Sequence, residues 1–268
     1  MFIAIEATNT YHQRIVELAN KTGHTVYLVD AYRLSRYRDA IGQRAKTDPS
    51  DAVLLERYLR AEREHLRAYD PRSPAHQTLW RLIKRRAGVV EARKSIAQSW
   101  SDIATLAPSV RALLKHHDHF IEIVEREIHR IALRLGWGAD LERLQSIPGI
   151  GPLNAVILCS VYHRGSFKSA DAFVAFLGLD VRVRDSGRFR GKRKLTKKGD
   201  SEPRRALFNG ARNAARTPSF KAFYDSLRAR GLSTTAAYVA VSRKLVRLAY
   251  ALMRDQSVFI PQEIENPC

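Results

Sequence analysis

Phe2-Ile3-Ala4-Ile5 and His24-Thr25-Val26-Tyr27-Leu28-Val29 decide the fold class at the start of this chain. Both are short runs rich in apolar and β-branched residues, the composition of buried strands. Between them, residues 11–21 carry Ile15, Val16, Leu18 and Ala19 at helical spacing, and Gly23 supplies a stop. Strand, helix, strand in that order predicts an α/β unit with parallel strands. Two strands alone make a poor sheet.

Beyond residue 75 the pattern turns helical. From Val110 the apolar or semi-apolar positions are Val110, Leu114, His117, Ile121, Val124, Ile128, Ile131 and Leu135. Their spacing alternates four and three, the mark of a heptad seam. A helix of about 26 residues there would be a rod of about 40 Å, opened by Pro108 and closed by Gly136 to Gly138. An antiparallel hairpin with residues 77–103, or a dimer, would bury the seam. His117 is read as a register residue rather than a metal ligand.

Residues 139–268 read as a basic, mainly helical domain. Its last helix, from Thr235 to Met253, turns Ala240, Leu245, Val246, Leu248, Ala249 and Leu252 inward, with Ser242, Arg243, Lys244 and Arg247 on or near the outer side. The expected fold class is therefore α/β plus mainly α. The expected boundaries are 1–75, 76–138 and 139–268.

A hydrophobic content of 45% excludes wholesale disorder. Two cysteines are too few for a disulfide framework, and Cys159, inside an apolar run, reads as a buried free thiol in a reducing, cytoplasmic protein. No signal peptide is visible, and no apolar run is long enough to span a bilayer. The net charge of +19 is unevenly spread: residues 1–70 carry +1, residues 71–138 carry +6 and residues 139–268 carry +12. That gradient points to a polyanion partner for the later two-thirds, and to nucleic acid over a membrane surface.

Four places could carry chemistry. In Lys46-Thr47-Asp48-Pro49-Ser50-Asp51-Ala52, Asp48 suits an N-cap, Pro49 the first helical position and Asp51 a carboxylate facing the helix dipole. The same two carboxylates, three apart on one helix face, could share a divalent ion. Glu6 ends the first apolar run, where α/β folds place functional groups, though an acid after a short strand is unremarkable by itself.

The third place is Ile147-Pro148-Gly149-Ile150-Gly151-Pro152, which has the form of a helix-hairpin-helix turn. Gly149 and Gly151 would let the backbone approach a phosphate; a plain tight turn is the competing reading. The fourth is the stretch from Arg182 to Lys198, with nine cations and the single acid Asp185. The cations are Arg182, Arg184, Arg188, Arg190, Lys192, Arg193, Lys194, Lys197 and Lys198. A solvated charge run is the bland account, but binding of these cations to DNA would release counterions. Ser186 lies among them in Asp185-Ser186-Gly187, either as a turn residue or as a hydroxyl held against a phosphodiester by the surrounding charge.

Taken in order, these segments resemble the DEDD-type, Piv-like insertion-sequence transposases, a family that includes the bridge-RNA-guided recombinases. The stretches that carry the resemblance run across essentially the whole chain: Glu6-Ala7-Thr8 with Tyr11, Arg44 to Ala52, Ile147 to Pro152, Phe176-Leu177-Gly178-Leu179, Ser186-Gly187 and Lys197-Lys198-Gly199-Asp200. The resemblance implies an RNase H/RuvC-like domain, a coiled-coil insert and a carboxy-terminal transposase domain. It implies that Glu6, Asp48 and Asp51 are three of four carboxylates holding Mg2+, and that Ser186 is the nucleophile that forms a covalent link to DNA. It further implies DNA, and in some members a guide RNA, as partners, and a homo-oligomer through the coiled coil.

One departure stands out. The family's first aspartate lies on a strand several tens of residues before the glutamate, and nothing precedes Met1 here. The expectations are a truncated RuvC-like domain or a misassigned start, weak metal binding, and exposed apolar faces beside an unpaired strand edge. A non-catalytic nucleic-acid-binding remnant is the alternative, and a purely structural coiled-coil partner a more distant one.

Overall fold

In a computed structural model of the chain, β1 (Phe2–Glu6) and β2 (Thr25–Val29) pair in parallel, with Phe2 opposite Thr25 and Glu6 opposite Val29. The structure describes residues 1–7, 12–44, 47–182, 185–186, 189–190 and 194–261. Helix α1 (Gln13–Lys21) makes the crossover and ends at Gly23, whose φ of +76° suits the left-handed turn that follows. Alternation along the strands then sorts their side chains by face. Ile3, Ile5, Val26 and Leu28 join Val16 and Ala19 of α1, while Ala4 and Val29 meet Leu34, Leu54 and Tyr58. Those last residues come from α2 (Ala31–Ala40) and α3 (Asp48–Glu62). Met1–Ser73 forms one compact unit with these two small cores. Among its described residues the sheet has two strands, and Phe2, Ile15 and Leu18 are more than half exposed.

The second unit is Pro74–Cys268. Helices α4 (Pro74–Ser99) and α5 (Ala107–Arg134) form an antiparallel hairpin. The ion pairs Arg86–Glu125 and Arg93–Asp118 fix the direction, since a step of two turns up one helix matches two turns down the other. The eight seam positions from Val110 to Leu135 are all buried or half-buried, with Ile128 and Ile131 against Leu79 and Ile83. His117 is half-buried and shares its Nδ1 with the carbonyl of Leu113, four residues back.

Behind the hairpin lie α6 (Gly138–Gln145), α7 (Pro152–Tyr162), α8 (Ala170–Phe176), α9 (Ser201–Ala214), α10 (Pro218–Ala229) and α11 (Thr234–Asp255). Helix α7 is the centre. Ala155 to Val161 are all buried, as expected for a helix apolar on every side, and it packs on α4, α5, α6 and α9. One hydrophobic core therefore runs from Leu79 of α4 to Met253 of α11.

Two local expectations need correction. Thr47, not Asp48, is the N-cap of α3: its hydroxyl accepts the Ser50 amide while the Ser50 hydroxyl accepts the Thr47 amide. Thr47 has the extended backbone that a cap requires, which moves Asp48 inside the first turn. Ser242 faces inward on α11 rather than outward. It is 1% exposed and its hydroxyl donates to the carbonyls of Tyr238 and Leu207, so a small hydroxyl fits a crowded contact with α9. No helix among the described residues is long and apolar enough to cross a membrane.

Candidate functional site

Three sequence-selected carboxylates lie in the first unit. Glu6 is the half-buried last residue of β1, held at its sheet position by the bond from the Ala7 amide to the Val29 carbonyl. Asp48 is exposed and Asp51 half-buried, both in the first turn of α3, where a negative charge faces the positive end of the helix dipole. Helix α3 packs on β1, so all three sit on adjoining elements. Asp51 is already paired. Arg38 of α2 reaches it at 2.5 Å, with the two side chains only 12% and 22% exposed. The Arg38 Nε is buried with no hydrogen-bond partner among the described residues.

Carboxylate oxygens are the hard donors that magnesium takes, so Glu6, Asp48 and Asp51 fit that ion in kind. They do not form a group of ligand atoms lying within 4.8 Å of one another; among the described residues the group that does is Asp140, Cys159 and His163. Arg38 escaped the sequence reading because nothing distinguishes it there from Arg33 and Arg36, its neighbours on the same helix.

Ser186 lies in the second unit, in a ribbon of short strands. Strand β3 (Val181–Arg182) pairs antiparallel with β6 (Lys194–Leu195), and β4 (Asp185–Ser186) with β5 (Phe189–Arg190). Ser186 is opposite Phe189 in the second of these ladders. Asp185 is opposite Arg190, and Arg182 opposite Lys194. Arg182, Lys194, Lys197 and Lys198 are exposed. Lys46, Arg184, Arg188, Lys192 and Arg193 lie outside the described residues.

The foot of the ribbon explains two of the sequence motifs. Gly178 has φ +67°, and a Cβ built there would stand 2.2 Å from the Lys198 carbonyl oxygen. Gly199 has φ +89°, and its Cβ would stand 2.8 Å from the Phe176 carbonyl oxygen. Phe176–Leu179 and Lys197–Asp200 are thus backbone on backbone, which only glycine permits. Arg204 closes the joint by donating to the carbonyls of Leu177, Gly199 and Asp200. Asp200 caps α9 through the Glu202 amide and pairs with Lys84 of α4 at 2.6 Å. Burial alone would raise its carboxyl. The Lys84 ammonium, the Glu202 amide and the Trp80 side chain override that and hold it below the usual carboxylate range.

Gly149 has a packing role that its sequence did not reveal. Its φ is +93°, and a Cβ there would meet Gly210 and Ala214 of α9 at 2.6 Å. Gly151 is exposed and opens α7 with open space where its Cβ would be.

A further cluster went unrecognised because its members are far apart in sequence. The His163 Nε2 lies 2.8 Å from one Asp140 oxygen, and Arg143 holds the other at 2.7 Å. Cys159, fully buried, lies one helical turn before His163. Burial, and secondarily the Asp140 carboxylate, push its thiol well above the ordinary range. The His163 ring stacks on Trp137 at 5.1 Å and 10°.

The carboxylates and the ribbon occur in the segments that known proteins share with this chain. A family model described as a transposase, of the DEDD type of IS110, matches residues 1–106. A second, described as the transposase IS116/IS110/IS902 family, matches residues 141–225. The pilin gene-inverting protein of Moraxella bovis is 26% identical over 97% of this chain and 82% of its own length. The corresponding protein of Moraxella lacunata is 27% identical with the same two shares. A probable family 20 transposase of Pseudomonas aeruginosa is 25% identical over 97% of this chain and 86% of its own. With one model over the Glu6–Asp51 segment, another over the Ser186 ribbon, and relatives spanning both, the chain belongs to the IS110/IS116 family of transposases.

Proposed function

We propose that this chain is a DNA strand-transfer recombinase in which the Ser186 hydroxyl attacks a DNA phosphodiester. Its family makes DNA transposition or recombination its class of activity. The observation that carries the finer reading is the pairing of Ser186 with Phe189 in the β4–β5 ladder, inside a segment of nine cations. Such a ribbon can present one hydroxyl to a phosphate while its cations neutralise neighbouring phosphates.

In the step proposed, the Ser186 oxygen forms a bond to phosphorus and its proton passes to a base or water. The bond from phosphorus to the leaving DNA oxygen breaks, and that oxygen takes up a proton. The resulting phosphoserine ester conserves the bond energy, so a second DNA hydroxyl can reverse the attack and join new ends without ATP. Glu6, Asp48 and Asp51 are the residues that would hold magnesium, with Arg38 orienting Asp51. When bound, that ion would supply Lewis-acid stabilisation of negative charge on phosphate oxygens. The resemblance also implies a carboxylate ahead of the glutamate, so the assay uses this chain and a version extended upstream.

The finer architecture belongs to the same proposal. Residues 1–75 are read as part of an RNase H/RuvC-like domain, 76–138 as a coiled-coil segment and 139–268 as the transposase domain. A homo-oligomer through the hairpin is supported by a second apolar stripe that starts at Leu106, just before α5, and continues along it. Leu106, Leu113 and Phe120, seven apart, are 42%, 46% and 51% exposed. DNA is the principal partner, and a guide RNA is a second polyanion the basic domain could hold.

One observation favours a second reading, in which the chain binds nucleic acid without joining it. Asp51 is paired with Arg38, and the three carboxylates are not gathered within 4.8 Å. Magnesium-dependent formation of a covalent protein–DNA adduct, lost in Ser186→Ala, separates the two.

A further inference from the structure

We propose that Asp140, Cys159 and His163 form a zinc-class metal site, distinct from the carboxylates of β1 and α3, that clips α6 to α7. Three ligand atoms, one from each residue, already lie within 4.8 Å of one another. Their chemistry is mixed: one thiol, one imidazole and one carboxylate. That set suits a borderline ion such as Zn2+ and is poor for magnesium, which prefers oxygen alone.

The surroundings act as supports for such a site. Arg143 holds the second Asp140 oxygen at 2.7 Å, which fixes the carboxylate and leaves its other oxygen toward His163. Trp137 stacks on the His163 ring and sets its plane. Trp137 is itself packed edge-on against His76, whose Nε2 bonds to the buried Ser160 hydroxyl at 2.7 Å. Ligand orientation by neighbours of this kind is what metal sites use to hold affinity. Cys159 and His163 lie four apart on one helix face, and Asp140 comes from the first turn of α6.

A divalent ion would replace the Cys159 thiol proton: the metal–sulfur bond forms, the S–H bond breaks, and the proton leaves to solvent. Cys159 is fully buried, whereas the His163 side chain is 36% exposed, which gives the ion its approach from solvent. The clip would brace the Ile147–Pro152 turn, which connects the two helices.

The test uses the full chain, stripped with a chelator and then titrated with Zn2+ or with Co2+ as a spectroscopic probe. The expected result is about one ion per chain, a raised melting temperature, and a thiolate-to-cobalt charge-transfer band that excess Mg2+ leaves in place. Cys159→Ser abolishes the band. His163→Gln, an exposed position that keeps the helices folded by circular dichroism, lowers zinc affinity at least about 10-fold, and Arg143→Gln about 10-fold. Cobalt uptake with no thiolate band, or zinc affinity unchanged in both His163→Gln and Asp140→Asn, overturns the proposal. The carboxylates of β1 and α3 offer no sulfur, and loss of the band in Cys159→Ser separates this site from Cys268, the second cysteine of the sequence, whether or not DNA strand transfer is observed.

Discussion

The Arg38 guanidinium lies 2.5 Å from the Asp51 carboxylate, and the pair is mostly withdrawn from water. It joins α2 to the first turn of α3 and orients one of the candidate metal-holding carboxylates. A paired carboxylate is poised but not free, so an incoming divalent ion competes with Arg38 for it.

Arg38→Gln removes the positive partner and leaves the Asp51 charge partly buried. The expected cost is about 1–3 kcal/mol of stability, read by urea denaturation. Magnesium should raise the melting temperature of this variant more than that of the parent chain. A variant as stable as the parent, with the same response to magnesium, would show that the pair orients nothing.

Gly178→Ala tests the foot of the ribbon. The substitution places a Cβ 2.2 Å from the Lys198 carbonyl oxygen at a φ of +67°. Strain and overpacking together should cost about 2–4 kcal/mol. The corresponding control, Gly23→Ala, has positive φ but open space and should cost about 1–2 kcal/mol. Equal losses in the two variants would mean that the backbone contact is unimportant.

Asp200 gives a pH dependence with a definite sign. Its folded-state pKa is depressed, so its contribution is present above the carboxyl's unfolded value and disappears as pH falls through the folded one. Lys84→Met should therefore lower the melting temperature near neutrality, and the gap to the parent should close on acidification. A gap that persists in acid would assign the loss to the Lys84 stem rather than to its charge.

Much of this architecture was legible in the sequence because periodicity records burial. The strand–helix–strand start and the inward side of Val110 to Leu135 follow from apolar spacing, whereas that spacing left a hairpin with residues 77–103 and a dimer both open until α4 was seen to cover the seam. What escaped depends on proximity in space. Arg38 and Asp51 are 13 residues apart, Asp140 and His163 are 23, and neither pair leaves a periodic trace. Ser242 reads as polar and outward until α9 supplies a carbonyl for it. The ribbon strands are two residues each and rich in cations, too short and too polar to register as strands. Gly149 invites a phosphate-binding reading because its contact with Gly210 lies 61 positions away.

Salt dependence tests the basic ribbon. DNA affinity should fall steeply with salt, by a slope of about −0.9 for each phosphate neutralised. Replacing the exposed Lys197 and Lys198 with Ala should reduce that slope by about 2. Binding that ignores salt would remove the polyanion argument altogether.

The central claim is that Ser186 carries the DNA. The chain, and its upstream-extended form, are incubated with double-stranded DNA from an insertion-sequence junction and magnesium, then denatured and resolved by mass. A protein–DNA adduct linked through Ser186, absent in Ser186→Ala and without magnesium, is the expected result. An adduct that survives Ser186→Ala, or strand exchange with no adduct at any stage, contradicts the account.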